Sequence, residues 1–316
     1  MTASFAPAPD VSITIAGVRF PLCLMNASGA LCVTQEELEV LGRSRAGAIV
    51  TKSMTREPRT GNPEPRYFAF AQGSLNSMGL PNLGYRAYAE LIPALKTFGK
   101  PVIASIAGLC EEDFPEIART IGKAEPDLME VNLSCPNIPG KPQIGYDFEA
   151  SERVLREVRK VTTRPIGVKL PPYFDPAHHA AMAEVLRRVP VDFLSLINSV
   201  GNALVIDPEA ESVVIKPKLG FGGLGGAMIK PVALANIRAF WTAFKGGIPI
   251  IGVGGVRSGT DAFEHLLAGA SAVQIGTALV EEGPQVFDRV QQELQSILAK
   301  KRYQTVESVV GRLKEL

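Results

Sequence analysis

Two lysines and one cysteine stand where apolar runs of the sequence give out. Lys52 and Lys169 lie inside the runs 48–52 and 166–170, each among aliphatic neighbours. An ammonium group buried without a partner is very costly, so each lysine predicts either a buried carboxylate or an anionic ligand. Acidic residues are scarce at the ends of the other runs, where Glu130 comes closest. That scarcity favours the ligand over a resident ion pair. Cys135 follows the run 128–133, with Asn132 three positions before it and Asn137 two after, and it leads into a loop holding Pro136, Pro139, Gly140 and Pro142. A buried structural thiol is the common fate of cysteine, and Cys23 inside a predicted strand fits it. Cys135 lies past its strand, and a thiol titrating near about 8.5 can serve as a general base toward a polar, planar ligand that the amides orient.

Glycines mark a second kind of site. Gly254-Gly255 and Gly276-Thr277 close the runs 248–253 and 272–276. Such glycines either make tight turns or let a phosphate reach backbone N–H groups near a helix start. Their occurrence after both of the last two runs favours the phosphate. The stretch Gly220-Phe221-Gly222-Gly223-Leu224-Gly225-Gly226 contains a literal G-x-G-x-x-G. A dinucleotide fold would need a preceding first strand and an acidic residue about 20 positions on, where the chain has Phe244-Lys245-Gly246-Gly247. That fold is rejected, leaving a flexible phosphate-contacting loop or a structural turn. The three histidines, His178, His179 and His265, fall in predicted helices. No Ser-His-Asp set can be placed, and histidine is not the expected proton carrier.

The elements that must carry these residues alternate. Predicted strands occupy 22–27, 48–52, 102–107, 128–133, 166–170, 193–198, 248–253 and 272–276, and predicted helices 34–44, 85–98, 111–123, 148–161, 177–189, 231–244, 260–267 and 284–300. Continuous apolar strands are buried on both faces, which marks a parallel sheet. Eightfold alternation predicts an α/β fold, a single-domain (β/α)8 TIM barrel spanning 1–316, over an open doubly wound sheet. Thr34 with Glu37 predicts a capping box, and Pro231 suits a first helical turn. An N-terminal β-hairpin is expected over 11–20. The connections 53–84, 134–147 and 199–230 are long and leave strands at their carboxyl ends, the face on which barrels build their sites.

Composition narrows the classes further. The chain has 316 residues, 46% of them apolar and 21% charged, with a formal net charge of +1. Basic residues form no stripe, so neither nucleic acid nor an anionic membrane surface is an expected partner. The sequence lacks an 18-residue apolar run and a secretory leader pattern. Four cysteines without paired spacing, Cys23, Cys32, Cys110 and Cys135, predict reduced thiols in the cytoplasm and no metal site.

The motifs are also specific enough to be recognised together. Asn132-Leu133-Ser134-Cys135-Pro136-Asn137, Met25-Asn26-Ala27-Ser28-Gly29, Gly61-Asn62-Pro63-Glu64-Pro65-Arg66-Tyr67 and Asn76-Ser77-Met78-Gly79-Leu80-Pro81-Asn82 resemble the dihydroorotate dehydrogenases, in particular their soluble, fumarate-using class 1A. The likeness continues through Gly167-Val168-Lys169-Leu170-Pro171-Pro172-Tyr173-Phe174 and Ser212-Val213-Val214-Ile215-Lys216-Pro217-Lys218. One departure is Ala203 after Gly201-Asn202, where the family pattern has a further glycine.

The resemblance implies FMN at the carboxyl face and oxidation of (S)-dihydroorotate to orotate in pyrimidine biosynthesis, with fumarate reduced to succinate. It implies Cys135 as the base at C5, hydride transfer from C6 to flavin N5, and Lys169 stabilising charge on the reduced flavin. Substrate would be held by Lys52, Asn76, Met78, Gly79, Leu80, Asn132, Asn137, Asn198 and Ser199. Ala27, Gly29, Lys52, Ser53, Asn132, Lys169, Gly226, Gly254, Gly255, Gly276 and Thr277 would line the FMN. A homodimer is also implied. The rivals are the related class 1B, whose catalytic subunit passes electrons to an iron–sulfur and FAD partner and NAD, and a non-catalytic flavin- or orotate-binding barrel.

Overall fold

The computed structural model describes residues 7–134 and 143–316. Eight parallel strands form the barrel: β1 (Leu24–Asn26), β2 (Ile49–Val50), β3 (Val102–Ile106), β4 (Leu128–Asn132), β5 (Ile166–Leu170), β6 (Phe193–Leu196), β7 (Ile250–Val253) and β8 (Ala272–Ile275). Their order around the sheet is β1-β8-β7-β6-β5-β4-β3-β2. Every residue of β3, β4 and β5 is buried, as a sheet covered by helices outside and packed within requires. The remaining seam, between β1 and β2, is closed by a side chain. Asn26 Nδ2 donates to the Val50 carbonyl over 2.8 Å, and Val50 N–H donates to Asn26 Oδ1 over 2.9 Å. An asparagine amide offers the same donor and acceptor as a peptide group, so Asn26 stands in for a missing rung.

The outer helices are α1 (Gln35–Arg43), α2 (Tyr85–Lys96), α3 (Asp113–Lys123), α4 (Phe148–Val161), α5 (Pro176–Arg188), α6 (Lys230–Ala243), α7 (Gly259–Ala268) and, after the short helix Thr277–Glu282, α8 (Val286–Lys300). Thr34 and Glu37 form the expected capping box. Asp147, Asp175 and Ser258 cap α4, α5 and α7 with side-chain oxygens, fixing where each helix begins. The N-terminal hairpin pairs Ile13–Ile15 with Val18–Phe20 and buries Ile13, Ile15 and Phe20 in the core. Among the described residues, no helix is long and apolar enough to cross a membrane.

Two long connections carry structure that periodicity did not predict. Val200–Ala203, Gly222–Gly225, Gly73–Asn76 and Tyr67–Phe70 pair antiparallel, in that order, into a four-stranded sheet. It ties the segment after β2 to the segment after β6. The glycine-rich stretch is therefore a strand rather than a flexible loop, and Gly226, at φ +82°, lets it pass Gly73. A Cβ at Gly226 would lie 2.4 Å from Gly73 Cα.

Candidate active site

A cavity of about 680 Å³ opens on the carboxyl side of the strands. Lys52 and Lys169 line it although they are only 6% and 4% exposed. Lys169 Nζ donates to Ser28 Oγ over 2.9 Å, and a Cβ at Gly29 would lie 3.7 Å from Lys52 Nζ. The two cations thus flank the turn after β1. Glu130, the acidic residue nearest the strand ends in sequence, accepts from Ser105 Oγ, Ser195 Oγ and Gln274 Nε2. Among the described residues Lys169 pairs with no carboxylate, its Nζ meeting Ser28 Oγ instead.

Three asparagines reach the same space from different elements. Asn132 ends β4, Asn76 ends its strand in the four-stranded sheet, and Asn198 follows β6. Each is tethered. Asn132 Nδ2 donates to Ser53 Oγ over 3.0 Å, Asn76 Nδ2 donates to the Gly223 carbonyl over 3.0 Å, and Asn198 Nδ2 donates to Ser134 Oγ over 2.7 Å. Ser199 lines the cavity as well, its N–H donating to Asn198 Oδ1. Fixed amides of this sort read a ring carrying both carbonyl and N–H groups.

The segment 77–80 is turned by bonds on its far side. The carbonyls of Ser77 and Met78 accept from Asn62, that of Gly79 from Arg59 Nε, and that of Leu80 from Asn82 Nδ2. The N–H groups of Met78, Gly79 and Leu80 make no hydrogen bond among the described residues, while Met78 and Leu80 line the cavity. Successive free N–H groups suit a carboxylate.

Glycines line the cavity as well. Gly254 and Gly255 follow β7 with φ +128° and +77°, and Gly276 and Thr277 start the short helix after β8. All four line the cavity with Ala27 and Gly226. A Cβ at Gly255 would lie 2.5 Å from Lys230 Cβ, so only glycine fits there. His265, buried in α7, donates Nε2–H to the Gly254 carbonyl over 3.0 Å, since a carbonyl can only accept. Burial pushes its pKa down to about 4, so the ring is neutral near pH 7.

Of the residues expected at the site, two sit off the wall. Ser53 is buried behind Asn132, bonded to it and to Ser105 Oγ, and Gly79 contributes its backbone to the 77–80 turn. Cys135 and Asn137 lie outside the described residues. The other thiols suit no base role: burial pushes Cys23 and Cys32 up to about 12 and raises Cys110. Ser28, Gln274 and His265 were not anticipated. Gln274 and Ser28 carry the same signal that exposed the lysines, a polar residue in or just beyond an apolar strand. His265 carries none, because its role depends on which strand its helix covers.

A family model described as dihydroorotate dehydrogenase matches residues 10–298. The chain is 52% identical over 312 residues to dihydroorotate dehydrogenase A (fumarate) of Lactococcus lactis subsp. cremoris, covering 97% of this chain and 100% of that protein. It is 48% identical over 312 residues to dihydroorotate dehydrogenase (fumarate) of Kluyveromyces lactis, covering 98% and 99%. It is 52% identical over 297 residues to the protein of the same name from Trypanosoma cruzi, covering 92% and 94%. With its match across the barrel and these full-length identities, the chain belongs to the dihydroorotate dehydrogenase family, in its class 1A branch.

Proposed function

We propose that this protein oxidises (S)-dihydroorotate to orotate in pyrimidine biosynthesis, with bound FMN and with fumarate as acceptor. The observation that carries the reading is the meeting of Lys52, Lys169, Asn76, Asn132 and Asn198 around one cavity that glycines also line. Two features suit FMN. Gly254 and Gly255 line the cavity at φ +128° and +77°, a backbone path that suits glycine and can offer main-chain N–H groups to a phosphate. Gln274 lines the cavity with a buried Oε1 that has no hydrogen-bond partner, as an acceptor for a heterocyclic N–H.

When bound, FMN supplies a two-electron acceptor for the hydride leaving C6 and a route for those electrons to fumarate, which gives succinate. The chain's own residues do the rest. Cys135 removes the C5 proton as general base. The N–H groups of Met78, Gly79 and Leu80, with Lys52, hold the substrate carboxylate. Asn76, Asn132, Asn137 and Asn198, with Ser199, hold the ring. Lys169, fixed by Ser28, places positive charge where negative charge develops. Ala27, Gly29, Ser53, Gly226, Gly276 and Thr277 complete the FMN site with the glycine wall. The reading carries with it a single FMN-binding domain and a cytoplasmic homodimer.

The test is an anaerobic titration of the purified protein with dihydroorotate, followed by flavin absorbance. Bleaching that fumarate reverses is the expected result. Bleaching that fumarate leaves in place would shift the assignment to an enzyme with a partner electron carrier. No bleaching at all would sink the proposal.

A further inference from the structure

Glu130 is fully buried inside the barrel, two residues before Asn132 on β4 and so on the same face of that strand. The function proposed above does not use it. Its Oε1 accepts from Ser105 Oγ over 2.9 Å, and its Oε2 accepts from Ser195 Oγ over 2.7 Å and Gln274 Nε2 over 3.4 Å. A hydroxyl has one hydrogen to give. Ser105 gives its hydrogen to Glu130 and is therefore the acceptor in its 2.9 Å contact with Ser53 Oγ. Ser53 then turns a lone pair to Asn132, which donates Nδ2–H over 3.0 Å. At the other end of the amide, Asn132 Oδ1 accepts the Ser134 N–H and O–H at 3.0 and 2.8 Å. Ser134 Oγ and its carbonyl both accept from Asn198 Nδ2, and Asn198 Oδ1 accepts the Ser199 N–H. What is left for a ligand is one N–H on Asn132 and one oxygen lone pair on Asn198.

We propose that Glu130 is a positioning residue for substrate binding. Its carboxylate, acting through Ser105 and Ser53, holds Asn132 with an N–H toward the cavity, opposite in polarity to the oxygen that Asn198 offers. The inference rests on the substrate reading above and deepens it. The pair selects a planar ring that presents a carbonyl to Asn132 and an N–H to Asn198, and disfavours the reversed pattern by leaving polar groups unpaired.

The experiment uses flavin-loaded protein and reads orotate binding from the flavin spectrum, without turnover. E130Q and S105A are each expected to weaken orotate binding about tenfold with flavin content unchanged. Because both act through one chain of bonds, E130Q/S105A is expected to bind no worse than the weaker single variant. S195A, which meets the carboxylate on its other oxygen, is expected to stay within about twofold of wild type. Multiplied losses in the double variant, or a loss in S195A equal to that in S105A, would overturn the proposal. So would wild-type affinity in both E130Q and S105A. Should E130Q fail to fold, the comparison of S105A with S195A decides alone, equal losses in the two overturning the proposal. A wild-type protein that binds flavin and ignores orotate would overturn the substrate reading and this inference with it, a failure visible before any variant is made.

Discussion

On the β7–β8 side the cavity is lined by main chain at Gly254, Gly255, Gly276 and the first turn of a short helix, with the Gln274 side chain among them. On the β4–β6 side it is side chain: Asn132, Asn198, Lys169 and the serines that tether them. The first half works by omission, since any Cβ at Gly255 would drive into Lys230. The second works by addition, each amide held at both ends. A phosphate needs only N–H groups and room, whereas a ring with alternating donors and acceptors needs atoms of fixed polarity. The half built by omission should therefore fail when anything is added, and the half built by addition should fail in steps.

The largest expected effect belongs to the side-chain half. Cys135→Ala should lower kcat by about a thousandfold, the range in which a lost general base falls, while orotate still perturbs the flavin spectrum. Stopped-flow reduction by dihydroorotate checks it. A loss smaller than about tenfold would assign the proton to another group.

Next comes the backbone half. Gly255→Val adds a branched side chain at φ +77° against Lys230, and FMN affinity should fall by about a hundredfold from strain and displacement together. The ratio of flavin to protein absorbance after gel filtration reads this out. A variant that stays fully yellow would show that the glycine conformation at this turn is not needed to hold the flavin. Asn198→Ala should do less, raising KM about tenfold with FMN content unchanged, because it removes one polar contact of several. A fall in flavin content there would erase the division between the halves.

The sequence made these halves unequally legible. Lysines inside apolar strands and glycines after them announce themselves, because a charge or a missing side chain breaks an otherwise apolar pattern. The eight strands and their helices followed from the same alternation, within a few residues at each end. The four-stranded sheet over the mouth did not, since Gly222–Gly225 and Gly73–Asn76 have no apolar alternation and pair only because two distant connections meet. Ser105 and Ser195 were silent for another reason. Each is a small residue in an apolar run, and its meaning appears only once Glu130 is seen between them.

His265 offers the smallest effect at neutral pH and a sharper one in acid. It braces the backbone half by donating to the Gly254 carbonyl, and burial lowers its pKa from 6.5 to about 4. Between those values the unfolded chain takes up a proton that the folded chain refuses. The unfolded state then binds more protons, so stability falls as pH drops from 6.5 toward 4 and is unaffected above. The loss attributable to this one ring is on the order of 3 kcal/mol at most. His265→Gln keeps an N–H donor for Gly254 and removes the titration. At pH 7.5 its melting temperature should sit at or slightly below that of wild type, and the gap should narrow or reverse by about pH 5. Melting curves that stay parallel across this range would mean that the ring is not neutral in the folded state. The brace on the glycine wall would then rest on a charged group, and the backbone half would be less free of side-chain chemistry than the glycines suggest.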